Sequence, residues 1–372
     1  MSSFKGAAAP PAANLLDALN TISIDVQRRI HRAPSTWWRN GFLALVLLFL
    51  YTTFPGRRDS HIPEKELRCP GLNTTRLVVS VKTGATEARH KIPTQMRTTL
   101  SCVENVLIFS DLAQNIEGYQ IRDALDTVVD YTIRDNPDFR FYNRQKDLWR
   151  EKHDVSELEG LKYEGDKQEL AAWRLDKYKF IHVLEKTWAE KPDLDWYFLI
   201  DADTYVLWEN MLAWLATLDP SQPAYFGSLV EIDGTKFAHG GSGILLSRAA
   251  MRELLVKNRE TARRWDDLTY DVCCGDLILG RALNERGITL QDIWPSMSGE
   301  SIYSMPFGKA TEEYWCGPAL TMHHMKVGDM NDMSAFERER KKSGEVCFAF
   351  HHIHPGHHIS RRRLLTFLSN HH

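Results

Sequence analysis

The feature that most constrains this chain is the run Trp196-Tyr197-Phe198-Leu199-Ile200, followed at once by Asp201-Ala202-Asp203-Thr204. A strand with one wet face alternates apolar and polar residues. An unbroken apolar run implies burial on both faces, as in a sheet covered by helices. The carboxyl ends of such strands are where open α/β sheets bind ligands. Two carboxylates one residue apart repel each other unless a cation lies near them. A hard divalent ion, often shared with substrate phosphates, meets that need. The plain alternative is a turn with a helix cap.

The surrounding sequence supports the same class. Leu77 to Val81 reads as a buried strand ending in Lys82-Thr83-Gly84, and Val106 to Phe109 as another ending in Ser110-Asp111. A helix is predicted from Pro93 to Thr99 between them. Apolar spacing predicts a helix over Gln168 to Ala189, with one lapse at Lys177. Leu207 to Leu218 reads as a helix that stops before Asp219-Pro220. Ile244 to Leu246 is a short strand, with Ser247 capping a helix from Arg248. This alternation predicts an α/β domain with a mainly parallel sheet and no internal repeat.

Three further segments carry candidate chemistry. Gly240-Gly241-Ser242-Gly243 precedes a strand, and its glycines permit close backbone approach to a ligand or simply a tight turn. Cys273-Cys274-Gly275-Asp276 leads into an apolar helix, so Asp276 is either an N-terminal cap or a general base in a cleft. Thr321 to Met325 reads as a strand after the turn Trp315-Cys316-Gly317-Pro318. It would send His323 and His324 to opposite faces, so that only one could enter a site. A lone histidine is more often structural than a ligand.

Composition bounds the rest. The 372 residues are 43 % hydrophobic and 26 % charged, which is globular and allows one large domain or two ordinary ones. With 46 basic against 49 acidic side chains there is no basic excess, which argues against charge-driven nucleic-acid binding. Residues 1–36 are rich in Ala, Pro and Ser and read as a poorly ordered tail. Gly41 to Phe54 is apolar, short against the ~20 residues of a usual span. Trp37, Trp38 and Tyr51 can sit in the membrane interface, and Arg39 can snorkel, which lengthens the segment. Lys5, Arg28, Arg29, Arg32 and Arg39 precede the run and Arg57 and Arg58 come after it, which favours a cytosolic N-terminus. The run leads into no convincing cleavage site. The expectation is therefore an uncleaved signal anchor at 37–54, the alternative being a buried core helix.

Residues 55–75 read as a Pro/Gly-bearing stem, which contains the sequon Asn73-Thr74-Thr75. Six cysteines, Cys69, Cys102, Cys273, Cys274, Cys316 and Cys347, include no C-x-x-C pair, which disfavours a zinc ribbon and suggests disulfides whose pairing the sequence leaves open. The tail 351–372 is His-rich and reads as solvated.

Taken together, these segments resemble the glycosyltransferase family that holds the Fringe and core-1 β1,3-galactosyltransferase enzymes, glycosyltransferase family 31, and its fungal branch most. The likeness runs from about Leu77 to Glu339. Asp195 to Val206 resembles the family's aspartate motif, with Ala202 where many relatives have a third aspartate. Gly240 to Gly243 resembles its glycine motif. Asp276 with Gly280 resembles its acidic helix start, although Gly275 stands where relatives carry a second acid. His323 falls at the position of the family's metal-binding histidine, with His324 as a possible replacement. Lys82-Thr83 resembles a segment that lines the uridine pocket.

The resemblance implies a GT-A fold over 76–350, in a type II single-pass Golgi membrane protein with a luminal catalytic domain. It implies inverting transfer of a hexose or N-acetylhexosamine, galactose first, from a UDP-sugar to a glycan or glycoprotein acceptor through a β1,3 linkage. Mn2+ would be held by Asp203 and His323, with Asp201 at the ribose or the outer shell of the metal. Asp276 would be the base, while Lys82, Thr83, Asp201, Gly240 and Gly241 would contact the donor. The competing readings are an inactive transferase-like binding protein, suggested by Ala202 and Gly275, and a luminal metal-dependent hydrolase.

Overall fold

A computed structural model describes residues 72–257, 260–305 and 318–343. The expected tail, anchor and most of the stem lie outside the described residues. So do Trp315-Cys316-Gly317, the His-rich tail, and Cys69, Cys316 and Cys347. Among the described residues no helix is long and apolar enough to cross a membrane.

The centre of the fold is the predicted apolar strand. It spans Trp196–Asp201 (β5), after β1 (Leu77–Lys82), β2 (Asn105–Ser110), β3 (Gln114–Ile116) and β4 (Tyr119–Asp123). Downstream come β6 (Tyr205–Val206), β7 (Tyr225–Gly227), β8 (Leu229–Ile232), β9 (Thr235–Ala238), β10 (Ile244–Ser247), β11 (Leu290–Asp292) and β12 (Thr321–Met322). Eight strands form one sheet in the order β11-β7-β10-β5-β1-β2-β4-β3. Four neighbour pairings are parallel and three antiparallel, so the sheet is mostly parallel, with antiparallel pairings at β10 and β3.

Both faces of β5 are buried, as its unbroken apolar run requires. Tyr197 and Leu199 join a core with Phe180, Val183 and Leu184 of the helix Lys179–Glu190. Trp196, Phe198 and Ile200 point the other way, into a second core with Val79, Val81, Ile92 and Met211. The pleat carries this alternation past the end of the strand. Asp201 continues the Tyr197/Leu199 face, whereas Ala202 is 2 % exposed and packs into the second core. The missing middle aspartate is therefore at a core position, and the outer pair does not depend on it.

Several predicted elements need adjustment. The helix expected from Pro93 runs instead from Ala88 to Arg97, because Ala88, Ile92 and Gln95 are buried at helical spacing and Pro93 lies inside. The long helix expected over Gln168 to Ala189 is two helices, Ala171–Asp176 and Lys179–Glu190. They part at Lys177, the residue that broke the apolar spacing. Its ammonium is buried against Asp138 at 3.0 Å and donates to the Tyr270 carbonyl at 2.8 Å. The next predicted helix is shorter than expected, Trp208–Leu215. Ser247 caps as anticipated, accepting from the Ala250 amide at 3.1 Å. Asn73 of the sequon is exposed, and its side-chain carbonyl accepts from the Thr75 amide and hydroxyl.

Candidate functional site

The register of the sheet brings the first two candidates together. Lys82 pairs with Asp201 across β1 and β5, both at strand ends and on one face. The Lys82 ammonium lies 2.9 Å from Asp201 and 2.6 Å from Asp176, and is only 5 % exposed. Burial alone would lower its pKa, but the two carboxylates outweigh that and hold it charged. Thr83 behaves differently. It is buried, its hydroxyl bonds to Glu87, and it is not among the residues that line the cleft below.

Asp203 sits in the turn after β5. Its carboxylate meets the His323 imidazole at 3.1 Å and the Lys91 ammonium at 3.1 Å. Burial tends to raise the Asp203 pKa. The hydrogen bond with His323 and the Lys91 charge overcome it, leaving the group well below the usual carboxylate range. The reciprocal effect acts on His323, where burial is outweighed by Asp203 and the pKa rises.

The expectation that His323 and His324 point to opposite faces is wrong. The strand ends at Met322, and His324 adopts a left-handed backbone with φ 52°. The turn brings both imidazoles to one side, with ring centroids 3.9 Å apart. Asp203, His323 and His324 each offer a ligand atom, all within 4.8 Å of one another. His323 Nδ1 is also buried with no hydrogen-bond partner. A carboxylate and two imidazoles form a donor set that fits a divalent transition metal. Asp201 is 3.9 Å from His323, at the margin of this group.

The glycine motif forms a tight turn, Gly240–Ser242, whose role lies in what it touches. A Cβ at Gly241 would stand 2.1 Å from the His323 ring, so only glycine lets that ring settle. The Gly240 amide donates to Asp276 Oδ2 at 2.9 Å, and the Leu277 amide donates to Oδ1 at the same distance. Asp276 opens the helix Gly275–Asn284 and is 9 % exposed. Burial raises its pKa above the ordinary carboxylate value, only partly offset by the two amides. The neighbouring Gly275 has a local cause: a Cβ there would come within 2.3 Å of the Lys177 carbonyl. A second acid at 275 is sterically excluded here.

These groups share one cleft of ≈ 320 Å³. Lys82, Asp201, Gly240, Gly241, Asp276, His323 and His324 line it, together with Asp176 and His239, which sequence reasoning passed over. Lys91 was also missed. Its only local signal is a position four residues after Glu87, with which it pairs at 2.8 Å.

A sheet of this order, with carboxylates at the carboxyl end of its central strand and a histidine pair beside them, fits a GT-A-like α/β enzyme. Residues 164–287 match the family model described as Fringe-like. That is a glycosyltransferase family, and the chain is accordingly an enzyme of the glycosyl-transferring class. The matched region contains β5, Asp201, Asp203, the glycine motif and Asp276. Lys82 and His323 lie outside it and join the site through the fold.

Proposed function

We propose that this chain is an inverting, metal-dependent transferase that moves a hexose or N-acetylhexosamine from a UDP-sugar to a glycan acceptor. Galactose is the first donor to try, and a β1,3 linkage the first product to seek. The observation that carries the reading is the placement of Asp203, His323 and His324 in one cluster beside the cleft that Asp276 also lines. Asp203 with His323 and His324 would hold Mn2+, which supplies charge neutralisation for a diphosphate leaving group.

The chain's own groups do the rest. Lys82 keeps Asp201 oriented through their ion pair, so that Asp201 would meet the ribose or the outer shell of the metal. The acceptor oxygen bonds to the anomeric carbon as the bond from that carbon to the diphosphate oxygen breaks. Asp276 takes the acceptor's proton, and burial raises its pKa in the direction of working pH. A glycosidase would need a second carboxylic acid across the scissile bond.

The reading includes a type II Golgi membrane protein, with the anchor at 37–54 and the catalytic part luminal. An exposed sequon and disulfides at Cys102 and between Cys273 and Cys274 support an oxidising lumen. The decisive test screens the full chain with UDP-sugars for Mn2+-dependent release of uridine diphosphate. Release from one donor, lost with chelator and in Asp203→Ala, is expected. A folded protein that neither releases nor binds uridine diphosphate would end the transferase reading.

A further inference from the structure

The cleft is lined by two kinds of group. Beside the histidines, Asp201, the glycine turn and Asp276, its lining includes Trp173, Val230, Ile232 and the bonded pair Cys273–Cys274. Trp173 stands on the helix Ala171–Asp176, one turn before Asp176, and both line the cleft. Trp173 is nevertheless 54 % exposed. A large aromatic ring left half bare in a cleft is a surface awaiting an apolar face. Cys273, itself exposed, and Cys274 present two sulfurs with no charge and little hydrogen-bonding capacity.

We propose that Trp173 and the Cys273–Cys274 disulfide form the platform on which the acceptor, an uncharged pyranose, lays its C–H face beside Asp276. This rests on the transferase reading, since Asp276 must receive the proton of an acceptor hydroxyl and the acceptor therefore occupies the wall next to it. The disulfide directly precedes the helix that carries Asp276, so platform and base are held by one segment. The acceptor is uncharged because, among the described residues, the two lysines lining the cleft are already engaged. Lys82 pairs with Asp176 and Asp201, and Lys177 with Asp138. Among these residues an acidic sugar would find no unpaired lysine.

The test uses the full chain, a UDP-sugar donor with Mn2+, and methyl pyranosides of glucose, galactose, mannose and N-acetylglucosamine beside a serine/threonine peptide. At least one pyranoside is expected to accept sugar. Trp173→Ala should raise its KM about tenfold or more, while calorimetric affinity for uridine diphosphate stays within about twofold. Trp173→Phe should recover most of the loss, and Cys273→Ser/Cys274→Ser should raise the acceptor KM in the same direction. Unchanged acceptor KM in both variants overturns the platform alone. So does a parallel loss of nucleotide affinity in Trp173→Ala, or transfer to the peptide and to no pyranoside. A wild-type chain that binds no uridine diphosphate with Mn2+ fails earlier and removes the transferase reading, and the platform with it.

Discussion

Two Asp-x-Asp sequences bracket the same strand, and they have opposite fates. Asp193-Leu194-Asp195 enters β5 and Asp201-Ala202-Asp203 leaves it. In each, the middle residue faces apolar packing and the outer two are polar. At the entry, Asp195 is clamped by Arg76 at 2.8 Å and Arg248 at 3.0 Å, and Asp193 meets Arg252 at 3.1 Å. The hydrogen bond from Arg76 holds Asp195 below the usual carboxylate range. Guanidinium groups pair both carboxylates at the entry. At the exit, Asp203 meets one ammonium and an imidazole whose Nδ1 has no partner, and a cleft opens beside them. An acidic pair is therefore a site only at the strand end where its partners are ligand-type groups rather than arginines.

The largest effects should fall at the exit. Asp276→Asn keeps the shape but only one of the two amide contacts, since its NH2 cannot accept, and it removes the proposed base. Transfer should drop about 10²–10⁴-fold with uridine diphosphate affinity retained, as separate rate and calorimetric measurements would reveal. Transfer at the wild-type rate would put the base elsewhere. The same residue predicts a pH profile. Its pKa is raised by burial, so the ionised form is lost as pH falls through that raised value. The acid limb of kcat should lie above the ordinary carboxylate range and vanish from the residual activity of Asp276→Asn. Next in size is Gly241→Ala. The added Cβ pushes the His323 ring aside, and Mn2+ affinity should fall ~10–100-fold, the range for losing a support behind a ligand. Circular dichroism should stay unchanged. Full Mn2+ affinity would show that His323 does not hold the metal.

Much of this contrast is legible in the sequence. The strand β5, the pair after it, the Ser247 cap and the start of the Asp276 helix all depend on neighbours in sequence, and all are where local pattern put them. What failed depends on distance. Nothing within ten residues of Lys177 tells that its charge is buried against Asp138, yet that contact splits the helix. The left-handed turn at His324 defeats strand periodicity, which assumes extended backbone. Lys91 reaches Asp203 from another element altogether, and Gly275 is glycine because of the Lys177 carbonyl. Local signals carry elements and their ends. Partners that arrive through the fold carry the electrostatics.

A smaller effect is expected on the entry side, at Ser247. Its buried hydroxyl accepts from the Ala224 and Ala250 amides and donates to the Gln222 carbonyl. Ser247→Ala leaves buried amides unpaired and should cost about 1–3 kcal/mol in denaturant unfolding. Because Ser247 pairs with Trp196 at the far end of β5, acceptor and donor KM should not move.

The smallest effect belongs to the entry pair itself. Asp195 is about one-quarter exposed and Arg76 more than half, at 23 % and 57 %. Solvent screens such pairs, so Asp195→Ala should cost only ~0–1 kcal/mol per ion pair, read as a small fall in the denaturation midpoint. Raising salt should shrink the difference between mutant and wild type, since the pairs are open to ions. Mn2+ dependence and kcat should be unaffected. A lost metal response in Asp195→Ala would mean that the two ends of β5 are coupled, and the division drawn between them would fail. A stability change with intact metal response would leave one strand serving as anchor at its entry and as site at its exit.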